Sequence, residues 1–350
     1  MAIDRSQRSA TSQTSGDPLW IVVLAGGEGR RLEAFLRQVL GETRPKQFCR
    51  IIGRRSMLRH TWDRARRLVP ARRVITVITA GQERFVAAEA ATGQGIPGRV
   101  LVQPANRETG PGLLLPLLWI AQRHPEASVA VFPADHFVWE ESRFLTHVAE
   151  AVVISGRRPD RIVLLGMEPD APETNYGWIE PGARCAGGLA DHELFAVANF
   201  WEKPEADLAE SLQRQGALWN SFVMAGTVRA FLELTRAHQP AALVTLQAVS
   251  SWFDTSAGRP ALAEAYLHLP AMDFSRTILA PGRDSLLVHP VRGLTWSDWG
   301  EPARIRHTLE RIGCRPPWLS TRATVGGLPP RGGEEGLGRA PRNVSFEQQM

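Results

Sequence analysis

Two lysines give the first sign of chemistry in this chain. Of its 41 lysines and arginines, only Lys46 and Lys203 are lysines. Lys46 lies in Arg-Pro-Lys-Gln-Phe at residues 44–48, and Lys203 lies in Phe-Trp-Glu-Lys-Pro at residues 200–204. A solvated surface exchanges lysine and arginine freely, but a narrow site for a phosphate or sugar oxygen does not, because the guanidinium group is a wide planar fork. The two lysines are therefore candidate site residues, with chance retention as the alternative.

A glycine-rich string is the second candidate. Residues 24–32 read Leu-Ala-Gly-Gly-Glu-Gly-Arg-Arg-Leu and follow an apolar run. Glycines let the backbone approach a ligand closely, and the free N–H groups at the start of a helix favour phosphate. Arg30 and Arg31 stand where they could clamp a triphosphate by bidentate contacts. The string is neither a Walker A loop nor a G-x-G-x-x-G turn, and a plain strand-to-helix turn is the alternative.

Alternating apolar runs and helical patterns would position these strings. Short apolar runs typical of strands buried on both faces occur at residues 19–25, 74–79, 100–102, 129–132 and 162–165. Helical periodicity lies between them, at residues 57–68, 83–91, 113–122 and 144–154. This alternation predicts an α/β fold: a Rossmann-like mixed, mostly parallel central sheet with helices on both faces.

The pattern changes after about residue 170. Extended pieces at 176–179, 194–200, 222–225 and 286–288 mix with helices near 205–215, 228–252 and 259–268. We expect one domain over residues 18–315, with a nucleotide lobe at about 18–170, a second, sugar-binding lobe on the same sheet at about 171–300, and a closing helix at about 301–313. The polar segment 1–17 and the Gly/Pro/Arg-rich segment 316–350 are predicted to be disordered tails.

Composition narrows the class of protein. The formal net charge is +5 and the pI about 9.7, but the arginines are scattered, which argues against nucleic-acid binding. Cys49, Cys185 and Cys314 show neither metal-ligand spacing nor a disulfide framework, which favours a reducing compartment. No apolar run approaches the roughly 20 residues of a membrane span, and the first residues lack the apolar core of a secretory signal. We expect a cytoplasmic protein.

Eight strings together resemble a known family. They are residues 24–32, residues 44–48, Gln-Pro-Ala-Asn-Arg-Glu-Thr-Gly-Pro at 103–111, Phe-Pro-Ala-Asp-His at 132–136, Glu-Thr-Asn-Tyr-Gly-Trp-Ile at 173–179, residues 200–204, Leu-Trp-Asn-Ser at 218–221 and Trp-Ser-Asp-Trp-Gly at 296–300. In this order they resemble the sugar-1-phosphate nucleotidyltransferases, and Pro-Lys-Gln-Phe and Pro-Ala-Asp-His resemble the mannose-1-phosphate guanylyltransferase branch. The resemblance covers residues 19 to about 305.

The resemblance implies a role for each matched residue. The implied catalytic residues are Arg31, Lys46, Asp135 and Lys203. The implied nucleotide-binding residues are Ala25, Gly26, Gly27, Gly29, Arg30, Gln103, Arg107, Thr109 and Gly110. The implied sugar-phosphate-binding residues are Tyr176, Gly177, Glu202, Lys203 and Asn220. Asp135 and Asp298 would hold Mg²⁺, which prefers oxygen ligands and phosphates; a helix N-cap is the alternative for each.

The chain also departs from the family pattern. Asn175 and Phe222 stand where the family usually has glycine, Gly110 where it has alanine, and Arg30 where threonine is common. These positions lie near the expected sugar and nucleotide pockets. They leave the identity of the substrates more open than the type of reaction.

The implied reaction joins a nucleoside triphosphate and a sugar-1-phosphate, with release of pyrophosphate. The strings favour GTP and mannose-1-phosphate, and thus GDP-mannose biosynthesis. The alternatives are the same chemistry with another base or sugar, and a catalytically silent regulatory protein that senses nucleotide sugars. No nucleic-acid or membrane partner is expected, and a homo-oligomer is compatible with the sequence.

Overall fold

A computed structural model describes residues 18–41, 43–92, 95–186 and 193–320. The strands are β1 (Leu19–Leu24), β2 (Val74–Thr79), β3 (Arg99–Gln103), β4 (Ser128–Pro133), β5 (Phe137–Val138), β6 (Ile162–Met167), β7 (Gly177–Arg184), β8 (Phe195–Glu202), β9 (Leu218–Thr227), β10 (Leu286–Val291) and β11 (Trp296–Ser297). The helices are α1 (Arg30–Leu40), α2 (Met57–Leu68), α3 (Glu83–Ala90), α4 (Thr109–Ala121), α5 (Glu141–Arg157), α6 (Ala206–Arg214), α7 (Val228–His238), α8 (Pro240–Ser250), α9 (Gly258–His268), α10 (Pro302–Arg311) and α11 (Pro317–Ser320).

Nine strands form one central sheet in the order β3-β2-β1-β4-β9-β6-β10-β8-β7, and β5 and β11 form a separate two-stranded ribbon. The pairs among β3, β2, β1 and β4 are parallel, as is the pair of β6 and β10. The pairs that β9 makes with its neighbours and those of β7 and β8 are antiparallel. The predicted mixed α/β sheet is confirmed, with its parallel order concentrated in the first lobe.

Helices cover both faces of this sheet. Neighbouring residues of β1 point to opposite sides, so that Trp20 and Val22 pack with α4 and α7 while Ile21 and Val23 pack with α2 and α5. This alternation explains why β1 is a continuous apolar run, because neither face meets water. The strand ends that carry the candidate site residues are thereby fixed from both sides.

Two boundaries differ from the prediction. The helix expected over residues 228–252 is two helices, α7 and α8, because Pro240 lacks an N–H group and disfavours helical geometry at Gln239. The chain beyond residue 316 was predicted to be disordered, but residues 317–320 form α11. Trp318 donates from Nε1 to the carbonyl of Ile51 at 2.9 Å and packs edge-on against Phe35. Residues 1–17 and 321–350 lie outside the described residues.

No helix in the described part of the chain is long and apolar enough to cross a membrane.

Candidate active site

A cavity of about 470 Å³ opens at the carboxyl ends of β1 and β4 and extends towards β7, β8 and β9. Open α/β sheets place ligands at this end of their strands. Most of the predicted site residues line it: Ala25, Gly26, Gly27, Arg31, Gln103, Thr109, Asp135, Tyr176, Gly177, Glu202, Lys203, Asn220 and Asp298. Gly29, Arg30, Lys46, Arg107 and Gly110 do not line it, and the structure gives them other contacts.

Two glutamine side chains donate hydrogen bonds to carbonyl oxygens of the glycine-rich turn. Gln47 donates from Nε2 to the carbonyls of Ala25 and Gly27, both at 2.7 Å. Gln82 donates from Nε2 to the Gly27 carbonyl at 3.0 Å. Both glutamines are buried. Because these acceptor groups are engaged by the protein, the hydrogen-bonding groups that the turn keeps for a ligand are its N–H donors.

Those donor groups form a candidate anion site. Within the described residues, no protein acceptor takes a hydrogen bond from the amides of residues 26–29. The turn leads directly into α1, whose first acidic side chain is Glu33. Free amides at a helix start favour phosphate oxygens through hydrogen bonding and the helix dipole. Arg31 lines the same part of the cavity.

Gly26 is required by its neighbours. A Cβ atom at this position would lie 2.4 Å from Nε2 of Gln103 and 3.1 Å from Oγ1 of Thr79. Thr79 donates to the Gly26 carbonyl at 2.8 Å, and Gln103 donates to Thr79 at 3.0 Å. A larger residue would displace Gln103, which lines the cavity floor. The predicted position of Gln103 beside the ligand therefore depends on this glycine.

Gly29 and Arg30 lie outside the cavity lining. Gly29 has a φ of 67°, a left-handed conformation that favours glycine, and a Cβ there would lie 2.9 Å from the backbone nitrogen of Lys46. Gly29 therefore lets the glycine-rich turn pack closely against residues 44–48. Arg30 is exposed and pairs with Glu28. Of the two adjacent arginines, only Arg31 faces the cavity.

Gly110 and Arg107 also lie outside the cavity lining. Gly110 donates its N–H to the carbonyl of Met272 at 2.8 Å, and a Cβ on Gly110 would lie 2.3 Å from the Met272 methyl group. Met272 in turn donates its N–H to the carbonyl of Arg107 at 3.0 Å. The two residues therefore anchor the start of α4 to the segment before residue 275.

Lys46 lies beneath the two candidate metal carboxylates. Its side chain is only 7% exposed, and its Nζ is 2.8 Å from Oδ2 of Asp135. The same Nζ donates to the backbone carbonyls of Asp298 and Trp299. One ammonium group thus joins the end of β4 to the segment after β11. In this structure Lys46 contacts the carboxylate that faces the cavity and does not itself line the cavity.

Both carboxylates are ionised at neutral pH. Burial disfavours the charge on Asp135, but attraction by Lys46 outweighs it and lowers the pKa of that carboxyl. Burial opposes the charge on Asp298 in the same way, and Lys46 and Arg304 bring its pKa to about 2. Burial lowers the pKa of His136 to about 4, so its ring is neutral at pH 7.

Arg304 fixes the orientation of Asp298. It donates to Oδ1 of Asp298 at 2.7 Å and pairs with Glu173 at 3.1 Å. Its guanidinium lies 4.2 Å from the ring centre of Tyr176, whose hydroxyl donates to the same Oδ1 at 2.8 Å. Gly300 also donates its N–H to this oxygen at 2.8 Å. Three donors on one oxygen hold the carboxylate in a single direction.

The donor set fits a magnesium ion. Oδ2 of Asp298 accepts no hydrogen bond from the described residues, so it is available as a ligand. The Asp135 side chain is 36% exposed and lines the same cavity. Two ionised carboxylates with accessible oxygens are the kind of protein ligand that Mg²⁺ takes alongside phosphates.

The opposite wall carries the predicted sugar-binding residues. A Cβ on Gly177 would lie 2.8 Å from Oε2 of Glu202 and 3.2 Å from Cβ of Asn220, so a side chain at this position would crowd both residues. Asn220 donates from Nδ2 to Oγ of Ser275 at 3.3 Å. Burial, and then repulsion by Asp273, raise the pKa of Glu202. This wall offers hydrogen-bond acceptors and donors side by side.

Lys203 supplies an exposed positive charge to this wall. Its side chain is 43% exposed, and its Nζ lies 3.2 Å from Oε1 of Glu202. Its backbone has a φ of 54°, which is left-handed, and its N–H donates to the Tyr176 carbonyl at 3.1 Å. The backbone turn aims a solvent-accessible ammonium at the cavity.

Two departures from the family pattern have a structural reason. Phe222 has a φ of 56°, the conformation that suits the family's usual glycine, and its N–H donates to Oδ1 of Asn220 at 3.1 Å. Its ring lines the cavity and packs edge-on against Phe274. Asn175 donates from Nδ2 to Oε1 of Glu301 at 2.9 Å. The backbone turn at Phe222 is thus kept while a phenyl ring narrows the cavity.

Sequence reasoning missed several contributors to the site. Gln82, Arg304 and Asp273 were given no role, because nothing near them in the chain resembles a motif. Gln47 sits inside the string 44–48, but its function as a support for the glycine-rich turn emerges only in three dimensions. Arg304 is buried, and a buried charge is rarely left without a functional or structural partner, but this burial is visible only in the structure.

Known proteins are similar to this chain in sequence and in fold. A family model described as nucleotidyl transferase matches residues 21–308. The chain is 30% identical to the mannose-1-phosphate guanylyltransferase of Escherichia coli (strain K12) over 305 residues, which are 85% of this chain and 62% of that protein. It is 29% identical to the xanthan biosynthesis protein XanB of Xanthomonas campestris pv. campestris (strain B100) over 296 residues, 83% of this chain and 60% of that protein.

A solved structure described as mannose-1-phosphate geranyltransferase from Thermus thermophilus has the same fold. It superimposes with a TM-score of 0.68 at 27% identity and covers 85% of this chain and 80% of that one. The chain spans about 60% of the length of the curated relatives it matches. Because the family model extends over most of the fold and contains the strands and loops that build the cavity, the chain belongs to the nucleotidyl transferase family.

Proposed function

We propose that this protein forms a nucleotide sugar from a nucleoside triphosphate and a sugar-1-phosphate, with GTP and mannose-1-phosphate as substrates and GDP-mannose and pyrophosphate as products. The observation that carries the proposal is one cavity with three kinds of group around it. An amide-lined turn, a pair of ionised carboxylates and a wall of sugar-type hydrogen-bonding groups all face the same space. The choice of guanine and mannose rests on the names of the relatives.

The glycine-rich turn and Arg31 are suited to the triphosphate. Free amides can donate to phosphate oxygens, and the arginine can pair with them at the mouth of the cavity. Gln103, which lines the cavity beside Gly26, would contact the base or the ribose. We assign the triphosphate to this half because its amides have no protein partner among the described residues.

Asp135 and Asp298 would hold the magnesium ion, which when bound neutralises charge on the phosphates of both substrates. Lys46 keeps Asp135 ionised and in place from below. Arg304 and Tyr176 do the same for Asp298. These side chains therefore prepare the carboxylates before substrates arrive, which avoids reorganisation during the reaction.

The acceptor sugar phosphate is assigned to the opposite wall. Glu202 and Asn220 would hydrogen-bond sugar hydroxyl groups, and Lys203 would pair with the sugar phosphate. An oxygen of that phosphate attacks the α-phosphorus of the triphosphate, and the bond from the α-phosphorus to the departing pyrophosphate breaks. The nucleophile is already an anion, so alignment and charge neutralisation are needed and a general base is not.

The test is pyrophosphate release over a matrix of nucleoside triphosphates and hexose-1-phosphates with Mg²⁺. We expect the highest kcat/KM for GTP with mannose-1-phosphate. A different best pair would correct the substrates and keep the reaction. No release in any combination, with nucleotide-sugar binding intact, would contradict the proposal and favour a regulatory sensor. An Asp135→Asn preparation measured in parallel excludes a contaminating enzyme. The cytoplasmic location stays a prediction from the sequence.

A further inference from the structure

Two histidines and a glutamate meet where α5 packs on β10, outside the cavity lining. His147 and Glu150 lie on α5, and His289 lies on β10. Nδ1 of His147 is 2.9 Å from Nε2 of His289, which is 3.3 Å from Oε2 of Glu150. The same carboxylate oxygen is 4.0 Å from Nδ1 of His147. One donor atom from each residue therefore points into a common space.

The spacing of these three atoms suits a small transition-metal ion. Ligands at about 2.0–2.1 Å from a tetrahedral Zn²⁺ lie roughly 3.3–3.4 Å from one another. The observed separations of 2.9, 3.3 and 4.0 Å scatter around that value. Modest rotation of Glu150, whose side chain is 13% exposed, would equalise them. Two imidazoles and one carboxylate are also the donor types that zinc accepts.

A backbone carbonyl sets the tautomer of one histidine. Nδ1 of His289 lies 3.3 Å from the carbonyl oxygen of Glu193, which can only accept a hydrogen bond. This contact favours the tautomer with the proton on Nδ1, which would turn the lone pair on Nε2 towards His147 and Glu150. Histidines that bind metals are held in this way, with the second ring nitrogen donating to a carbonyl or carboxylate.

We propose that His147, Glu150 and His289 bind a divalent transition-metal cation, zinc by ligand chemistry, at a site separate from the two aspartates of the cavity. The ion would join α5 to β10. Helix α5 begins six residues after Asp135, and β10 ends seven residues before Asp298. A cation here would therefore stabilise the packing of α5, which follows Asp135 in the chain, against β10, which precedes Asp298.

The competing account of the cluster is a hydrogen bond between the two imidazoles with Glu150 alongside. Cobalt binding separates the two accounts, because Co²⁺ in a low-symmetry nitrogen and oxygen site has a visible absorption band that a hydrogen-bonded pair cannot produce. The full chain is stripped with a chelator, supplied with excess Mg²⁺ to fill sites made only of oxygen ligands, and titrated with Co²⁺ and then Zn²⁺. We expect one equivalent of Co²⁺ to bind, and Zn²⁺ to displace it.

His289→Gln and Glu150→Gln should each weaken Co²⁺ binding at least about 100-fold, as expected for loss of a ligand. His268→Gln is the matched control, because His268 forms an exposed pair with Glu264 at 3.4 Å and lies outside the cluster. It should bind like the wild type. Zinc should also raise the Tm of the wild type by about 5 °C at saturation and leave Glu150→Gln unchanged.

The absence of a Co²⁺ band in the wild type would overturn the proposal. So would binding that survives unchanged in both ligand variants. If His289→Gln fails to fold, Glu150→Gln alone decides the matter, because its side chain reaches the surface and the change preserves its shape. All these readouts are independent of catalytic turnover, so they stand apart from the test of the proposed reaction.

Discussion

The two lysines of this chain lie in contrasting environments. Lys46 is buried, with an Nζ that contacts Asp135 and two backbone carbonyls. Lys203 is 43% exposed, and its charged partner among the described residues is the adjacent Glu202. The first is a fixed part of the carboxylate centre, and the second is free to move to a ligand. The contrast teaches that a shared residue type does not imply a shared role.

The surroundings of the lysines extend this contrast. Near Lys46 the carboxyl pKa values are lowered, because positive charges outweigh burial. Near Lys203 the pKa of Glu202 is raised, because burial and Asp273 outweigh the lysine. The proposed cation centre therefore keeps its carboxylates ionised, whereas the proposed sugar-binding wall tolerates a weaker acid. Five predictions test this division, in order of expected effect.

The largest effect is expected for Asp135→Asn. The change removes a negative charge from the proposed metal site while preserving shape, and turnover should fall by about 1000-fold or more. Steady-state pyrophosphate release measures the rate, and circular dichroism checks the fold. Glu264→Gln is the control, because Glu264 forms an exposed pair with His268 on α9 and does not line the cavity. Near wild-type rates for Asp135→Asn would rule out Asp135 as a metal ligand.

Lys46→Ala should lower kcat by about 100-fold or more, because Asp135 loses the cation that lowers its pKa. Removing one partner of this largely buried pair should also cost about 1–3 kcal/mol of unfolding free energy, which urea denaturation measures. Lys46→Arg should not restore activity, since the planar fork cannot replace an ammonium between two carbonyls. Restoration by arginine would mean that only the charge matters and would weaken the contrast with Lys203.

Lys203→Ala should act on one substrate. We expect KM for the sugar phosphate to rise by about 10–100-fold, with KM for the nucleotide within about twofold of wild type, as for loss of one partly exposed ion pair to phosphate. Unfolding free energy should change by less than about 0.5 kcal/mol, because the lysine of the Glu202 pair is exposed. Equal changes in both KM values would place Lys203 outside the acceptor half.

The unfolding free energy should fall in acid because of His60 on α2. Burial, with help from Arg64 and Arg55, lowers the pKa of His60 on α2 to about 3. The unfolded chain takes up this proton near pH 6.5 and the folded chain only near pH 3, so stability is complete above pH 6.5 and falls as the pH drops through this window. The loss should reach about 2 kcal/mol at pH 5.

Urea denaturation at pH 7 and pH 5 measures this loss. His60→Gln should remove most of the roughly 2 kcal/mol that His60 contributes to the loss of unfolding free energy between pH 7 and pH 5. His307→Gln, at an exposed position, should leave that loss unchanged. An unchanged pH dependence in His60→Gln would show that His60 is not held neutral by the fold.

The smallest effect concerns Phe222 in the acceptor half. Its left-handed backbone suits glycine, so Phe222→Gly should be more stable than Phe222→Ala by about 1 kcal/mol, although both lose the contact with Phe274. Thermal denaturation of the two variants measures the difference. Equal stability, or a more stable alanine variant, would contradict strain at this turn. A lower selectivity among hexose-1-phosphates in both variants would support the ring as part of the acceptor wall.

Much of the fold could be predicted from short-range patterns. The buried runs that become β1, β2, β4 and β6 are apolar on both faces, and this alone requires covering helices. The break between α7 and α8 was missed although Pro240 signals it, because apolar periodicity continues across the proline. The order of the Trp318 segment was missed because its contacts, with Phe35 and Ile51, are remote in sequence.

The candidate site divides in the same way. The sequence by itself determined the residue types at the ends of the strands, such as the glycines of the turn, Asp135 and Lys203, because backbone geometry and charge restrict those positions locally. Only the tertiary structure decided that Lys46 lies beneath Asp135, that Arg304 orients Asp298 and that Arg31 faces the cavity while Arg30 does not. Such contacts join residues far apart in the chain or depend on helix orientation, and neither spacing nor composition specifies them.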